Sequence, residues 1–242
     1  MSKPEILLIS DLHLSPEEPA TAGRFLEFLE ARAPQASRLY ILGDLFDAWI
    51  GDDNDLPLYG QIRAGLKSLA DSGTRILLQH GNRDFLLGEL FCARSGSALI
   101  EEEHVADLHG TPTLLMHGDS LCTDDIAYQQ ARAFLRNPAF VAEFLQKPLE
   151  ERAMIAAEYR KKSGEATSLL ATDIMDVNAQ AVAEVMRRHG VCCLIHGHTH
   201  RQAIHHLELD GRMCERIVLG EWHPQRGMAL SVTPGGISEL AV

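Results

Sequence analysis

No apolar run in this chain approaches the roughly 20 residues that a membrane-spanning helix needs, so any membrane association is expected to be peripheral. The start, Met1-Ser2-Lys3-Pro4, passes straight into the strand-like run Ile6 to Ile9. It carries neither an apolar segment of signal-peptide length nor a cleavage site, which argues against secretion. Basic residues are few: 22 Lys and Arg stand against 34 Asp and Glu, a formal charge of −12. A surface built to bind nucleic-acid phosphates is therefore not expected, although a local basic groove is compatible with this balance. Cysteine is sparse, and its count of five is odd, with Cys192 and Cys193 adjacent in an apolar run. Such residues read as buried, reduced thiols, which makes the cytoplasm the expected compartment. Internal repeats and low-complexity tracts are also lacking.

What is present is a chain of 242 residues, long enough to bury a real core as one large domain or two small ones. Runs rich in Ile, Leu and Val at 5–9, 38–42, 74–79, 112–116 and 191–195 have the length and bounding turn residues of buried strands. Between them, 20–33, 57–72 and 173–188 place apolar residues at helical spacing, as with Phe25, Phe28 and Leu29. Strand alternating with helix predicts parallel strands in the first half. After residue 200 the strand candidates crowd together at 202–209, 214–219 and 227–232, with Asp210-Gly211 as a hairpin turn. The expected fold is α/β, two mixed β-sheets sandwiched between helices, as a single domain over 1–242.

Residues 123–172 interrupt this scheme, being helical in composition and broken at Asn137-Pro138, Pro148 and Ser163-Gly164. This stretch reads as an inserted helical cap. Its Phe134, Leu135, Phe140, Val141, Phe144, Leu145, Leu149, Met154 and Ile155 either pack amphipathic helices on the body or line an apolar substrate pocket.

Each main strand candidate ends in a polar cluster: Ser10-Asp11-Leu12-His13, Gly43-Asp44, Gly81-Asn82-Arg83-Asp84, His117-Gly118-Asp119 and His196-Gly197-His198-Thr199-His200. Open α/β sheets build sites at the carboxyl ends of strands. A Gly-Asp after a strand is commonly only a turn, and a lone His is more often satisfied structurally than a ligand. Five metal-capable clusters at five strand ends are a different matter, because two divalent cations can share a carboxylate and clamp the attacking and leaving oxygens of a displacement at phosphorus. The mixed oxygen and imidazole set suits Mn²⁺, Fe or Zn²⁺ better than an all-oxygen magnesium site.

The order D-x-H, G-D, G-N-x-[DE], H and G-H-x-H, from Asp11 to His200, resembles the calcineurin-like metallophosphoesterase superfamily. That resemblance implies that Asp11, His13, Asp44 and His200 hold one metal and Asp44, Asn82, His117 and His198 the other, with Asp44 as the bridge. The departure is Arg83, where many relatives have His. A guanidinium cannot act as a general acid at neutral pH, but it can hold phosphate oxygens in a fork, which suits a pyrophosphate whose leaving group needs no proton. The alternative is an Arg paired structurally to Asp84.

Longer stretches, Gly43-Asp44-Leu45-Phe46-Asp47-Ala48-Trp49-Ile50-Gly51-Asp52-Asp53, His80 to Leu86, Met116 to Asp125 and Ile174 to Asn178, resemble the bacterial UDP-2,3-diacylglucosamine hydrolase family of lipid A synthesis. The resemblance implies attack by a water held on two divalent ions, Mn²⁺ being expected, on the α-phosphorus of UDP-2,3-diacylglucosamine. The products it implies are UMP and 2,3-diacylglucosamine 1-phosphate, and the protein is expected to be a monomer that touches the cytoplasmic face of the inner membrane peripherally. It makes Asp44, Asn82, Arg83, His117 and His198 the residues of the reaction. It makes Asn82, Arg83, Asp125, Tyr128, Arg160, Ser163, Thr167 and His198 those that touch substrate, with ordinary helix-surface roles as the alternative for Asp125, Tyr128, Arg160 and Ser163. At the far end of the cap, Thr167 and Leu170 stand where the family pattern has an Asn-like residue and a Lys; Lys161 or Lys162 is a candidate for the missing charge. Trp49 and Asp52-Asp53 either shape the entrance or form a solvated loop, and His196 is expected to support the ligands from behind. Rival readings are another phosphoesterase on the same metal core, or a non-catalytic interaction scaffold.

Overall fold

The computed structural model describes residues 4–168 and 176–242, with the backbone alone for 162–168. Two mixed sheets lie face to face. The first is built from β1 (Ile6–Ile9), β2 (Arg38–Leu42), β3 (Arg75–Gln79), β4 (Ser97–Leu99), β10 (Met228–Thr233) and β11 (Gly236–Ala241), in the order β11-β10-β1-β2-β3-β4. β1 to β4 run parallel, as the alternation of strand and helix predicts, and β10 and β11 add antiparallel on the β1 side. The second sheet has β5 (His104–Leu108), β6 (Thr111–Leu115), β7 (Cys193–His196), β8 (Ala203–Leu209) and β9 (Arg212–Val218) in the order β5-β6-β7-β9-β8.

The residue alternation within β1 and β2 explains the layering. Leu7, Ile9, Leu39 and Ile41 face α1 (Pro19–Ala31) and α2 (Pro57–Asp71), whose Phe25, Phe28, Ile62 and Leu66 lie on their inner stripes. Ile6, Leu8, Tyr40 and Leu42 point the opposite way, into a core shared with Leu115, Ile195 and Ile217 of the second sheet. The outer face of that sheet is covered by α7 (Ala179–His189) through Val182, Val185 and Met186. β1 is buried along its whole length, and each such Leu or Ile contributes roughly 1.5–3 kcal/mol by leaving water.

Three helices, α4 (Ile126–Leu135), α5 (Pro138–Leu145) and α6 (Leu149–Ser168), lie in sequence between β6 and β7. Asn137-Pro138 separates α4 from α5 as expected, but Ser163-Gly164 does not interrupt α6. A helical Gly costs about 1 kcal/mol relative to Ala, too little to break a 20-residue helix by itself. α7 starts at Ala179, not 173, because the Asn178 side chain caps it by accepting from the Gln180 and Ala181 N–H groups.

Four elements have no counterpart in the sequence reading: α3 (Glu89–Ser95), β4, β5 and β11. The cysteines also depart from expectation. Cys92, Cys122 and Cys193 are buried thiols, but Cys192, just before β7, forms a disulfide with Cys214 of the neighbouring β9. An odd count hides one pair, so it carries no argument for a reducing compartment. Among the described residues no helix is long and apolar enough to cross a membrane.

Candidate metal centre

The loops that leave β1, β2, β3 and β7, together with the residues after β6, meet at one end of the sandwich. They do so with unusual backbone: Asp11, His13, Asp44, His198 and His200 all have positive φ, between 49° and 68°. Non-glycine residues pay strain for this conformation, which persists where surrounding contacts over-determine it. Those contacts are present. Leu12 and His13 N–H donate to the Asp44 carbonyl at 2.9 and 3.0 Å, and His198 N–H donates to Asp11 Oδ2 at 2.9 Å. Gly81 and Gly197 let the loops close, since a Cβ on either would collide with Asp44 Oδ1 or Asp11 Oδ2.

The seven side chains expected as ligands come together. His13 Nε2 is 3.2 Å from His200 Nε2, and His200 Nε2 is 3.4 Å from Asp11 Oδ1. Asn82 Oδ1 lies 2.9 Å from both His117 Nε2 and His198 Nδ1. Between the two groups stands Asp44 Oδ2, 3.9 Å from His13 Nδ1 and 3.7 Å from His117 Nε2, as a bridging carboxylate must. Asp11, His13 and His200 form one cluster able to hold an ion, and Asp11, Asp44 and His117 another.

The electrostatics fit cations. Asp11 and Asp44 are buried, and their ion-pair partners among the described residues are histidines alone. Burial, opposed by His117 and reinforced by the Asp84 and Asp11 carboxylates, pushes the Asp44 carboxyl up to about 7. Burial also pushes His13 and His198 down to about 3, leaving each ring neutral with a lone pair to offer. His117 Nδ1 hydrogen-bonds the Leu42 carbonyl at 2.9 Å, so the proton sits there and Nε2 faces inward. A set of two buried carboxylates, an amide oxygen and four imidazoles suits a pair of divalent ions.

Arg83 is not paired to Asp84. The buried Asp84 carboxylate instead accepts from the N–H groups of Gly81 and Leu45, both at 2.8 Å, tying the β3 loop to the β2 loop. The Arg83 backbone is held at both ends, N–H to Asp44 Oδ1 at 2.8 Å and carbonyl from Trp49 N–H at 3.0 Å. Its guanidinium lines a cavity of ≈ 380 Å³ with no ion-pair partner among the described residues.

That cavity runs from Asn82 and Arg83 outward to α4 and α5, where Leu86, Leu135, Phe140, Val141 and Phe144 line it. Apolar residues of this helical segment therefore enclose a space, while Phe134, Leu145 and Met154 stay exposed. Asp125, Tyr128 and Arg160 also line it, but each is already engaged. Asp125 Oδ1 caps α4 by accepting from Tyr128 N–H at 2.9 Å, the Tyr128 hydroxyl donates to Asp119 Oδ2 at 2.8 Å, and Arg160 pairs with Asp47. The side chains of Lys162, Ser163 and Thr167, and all of Leu170, lie outside the described residues.

Trp49 and Asp52 are tied inward, whereas Asp53 is exposed. Trp49 is buried and stacked on Phe46, and its Nε1 donates to Asp52, which also caps α3 through the Gly88 and Phe91 N–H groups. Asp53 pairs with the buried Arg152 of α6, fastening the cap to the body. His196 is buried behind the centre, with Nε2 3.4 Å from Arg216 Nη1.

Two participants escaped the sequence reading. Asp119 was legible only as part of His117-Gly118-Asp119, yet it gathers Tyr128, Arg132 and Arg136 of α4 and its C-terminus against the centre. Burial opposes its charge, but His117, Arg136 and Arg132 hold its carboxyl below the usual range. Glu221, which contacts His200 Nδ1 at 2.7 Å, had no signal at all.

Comparison with known proteins agrees with this geometry. The model of the calcineurin-like phosphoesterase family matches residues 4–202. A UDP-2,3-diacylglucosamine hydrolase of Marinobacter nauticus is 52% identical over 216 residues, 89% of this chain and 88% of that one. One of Salmonella typhi is 51% identical over 235 residues, 97% and 98% of the two chains. A solved archaeal phosphodiesterase shares the fold, with a TM-score of 0.50 at 13% identity over 98% of this chain and 99% of that one. The chain belongs to the calcineurin-like phosphoesterase family, in the branch whose curated members carry the name UDP-2,3-diacylglucosamine hydrolase.

Proposed function

We propose that this chain hydrolyses the pyrophosphate bond of UDP-2,3-diacylglucosamine at the α-phosphorus, releasing UMP and 2,3-diacylglucosamine 1-phosphate. The observation that carries this reading is the apolar cavity opening directly on Asn82 and Arg83. A substrate with a charged pyrophosphate beside two acyl chains needs that adjacency of polar and greasy walls. Relatives 50–52% identical over most of the chain bear the corresponding name.

Asp11, His13, Asp44 and His200 are assigned to one ion, and Asp44, Asn82, His117 and His198 to the other. When bound, two divalent ions supply a water acidic enough to attack at neutral pH and positive charge for the phosphate oxygens. Mn²⁺ is the proposed pair. Asn82, at the inner end of the cavity, and His198, whose Nδ1 lies 2.9 Å from Asn82 Oδ1, orient the α-phosphate, and Arg83 holds the oxygens on which charge develops. Asp125, Tyr128, Arg160, Ser163 and Thr167 are assigned to the sugar and phosphate groups, and residues 123–172 to a cap over the acyl chains. We assign the chain, as a monomer, to the cytoplasmic face of the inner membrane, held there peripherally, because a diacylated substrate resides in a membrane. A cap exposing Phe134, Leu145 and Met154 supports it.

Metal-stripped protein is expected to be inactive and to recover on adding Mn²⁺. In ¹⁸O-labelled water the label is expected in UMP. Label in the sugar phosphate would move the attack to the other phosphorus, and absence of turnover alongside cleavage of a generic phosphodiester would discard the lipid substrate. The cap has its own test. At roughly 0.8 kcal/mol per buried methylene, acyl burial dominates binding of the diacylated substrate. Phe140→Asp is therefore expected to raise KM for it by about 10-fold or more while leaving hydrolysis of UDP-glucosamine without acyl chains unchanged. An equal loss on both substrates would reduce the cap to a packing role.

A further inference from the structure

Glu221 lies in the connection between β9 and β10, which is fastened on either side of it to the candidate metal loops. Leu219 N–H donates to the His196 carbonyl at 2.8 Å, and Trp222 N–H donates to the Asp11 carbonyl at 3.0 Å. The Trp222 ring anchors the connection in the core, packing edge-on against Phe25 and Phe28 and donating from Nε1 to the Met228 carbonyl at 3.0 Å. So held, Glu221 turns one carboxylate oxygen to His200 Nδ1 at 2.7 Å and the other to His223 Nε2 at 3.1 Å. The other nitrogen of His200, Nε2, faces His13 and Asp11.

We propose that Glu221 is a positioning residue for one half of the metal centre: its carboxylate keeps the His200 proton on Nδ1 and the ring aimed, so that Nε2 presents its lone pair to the ion. It does for His200 what the Leu42 carbonyl does for His117, with a full negative charge that also makes the imidazole a stronger donor. The inference rests on the metal reading above. It adds a residue that lies beyond the motifs ending at His200 and acts through the His200 ring.

The test is titration of Mn²⁺ into metal-stripped full-length protein, followed by calorimetry and by the electron paramagnetic resonance of the free ion. Wild type is expected to bind two ions. Glu221→Ala is expected to weaken one site by roughly 10- to 100-fold and leave the other within about twofold. Glu221→Gln, which still accepts the hydrogen bond but lacks the charge, is expected to fall between the two and carries the test should Ala disturb the loop. Activity lost at low Mn²⁺ is expected to return at high Mn²⁺ in both variants. Two sites of wild-type affinity in both would overturn the inference, whereas a wild-type protein that takes up no pair of ions overturns the metal reading itself and this one with it.

Discussion

Asp44→Asn is expected to abolish hydrolysis at every Mn²⁺ concentration, a loss of roughly 10³-fold or more, beyond that of a single transition-state donor, while the fold survives. The bridging oxygen lies between the His13 and His117 rings, and an amide supplies neither the charge nor a second anionic oxygen to share. The fold should tolerate the change because Asn readily adopts the positive φ of 52° found here and can still accept from Arg83 N–H. Stability should move in the opposite direction to activity. A carboxyl whose folded pKa is raised from 3.8 to about 7 contributes most below the unfolded value and costs stability as pH rises through the folded one. At pH 8, metal-free Asp44→Asn is therefore expected to unfold at the same or a higher temperature than metal-free wild type. A lower unfolding temperature would mean that Asp44 is structural, and substantial turnover by the variant would sink the two-ion arrangement.

Arg83→Ala is expected to lower kcat by roughly 10²-fold or more, the range for a lost donor to developing charge, with a smaller effect on KM. The backbone at this position is held by Asp44 Oδ1 and Trp49 N–H, so removal of the side chain leaves the loop in place. With no carboxylate paired to it among the described residues, the guanidinium is turned to the cavity and is offered to phosphate oxygens. Arg83→Lys restores the charge without the planar fork and is expected to recover only part of the rate. A rise in KM with kcat intact would make Arg83 a binding residue whose contact is the same in ground and transition states.

The candidate centre was legible before the fold because its residues are bound to strand ends by short motifs. A D-x-H or G-H-x-H sequence keeps its meaning whatever surrounds it, since the backbone turns just after the strand and brings both side chains to one side. The parallel half of the first sheet was legible for a related reason: β1, β2 and β3 are buried on both faces and so read as continuous apolar runs. β4, β5 and β11 did not read as strands because they are short or exposed. Ser97-Ala98-Leu99 has three residues, and β11 is an edge strand facing water over most of its length. α3 was hidden likewise, with only seven residues for a period of 3.6 to show itself.

Which atoms are on offer for catalysis, their gathering at one end of an α/β sandwich, and the helical segment after His117 are all written in the residue order. Those properties are local: they depend on residue type, strand burial and spacings of two or three residues. Packing in three dimensions is what gives Asp84 to the backbone of Gly81 and Leu45, leaving Arg83 to the cavity, and what pairs Asp53 with Arg152 of α6 and Asp119 with Arg132 of α4. It also paired Cys192 with Cys214 and set Glu221 behind His200. Each of these joins residues from separate elements, and whether a carboxylate meets an arginine, an imidazole or a backbone N–H depends on which chain segment packing brings beside it.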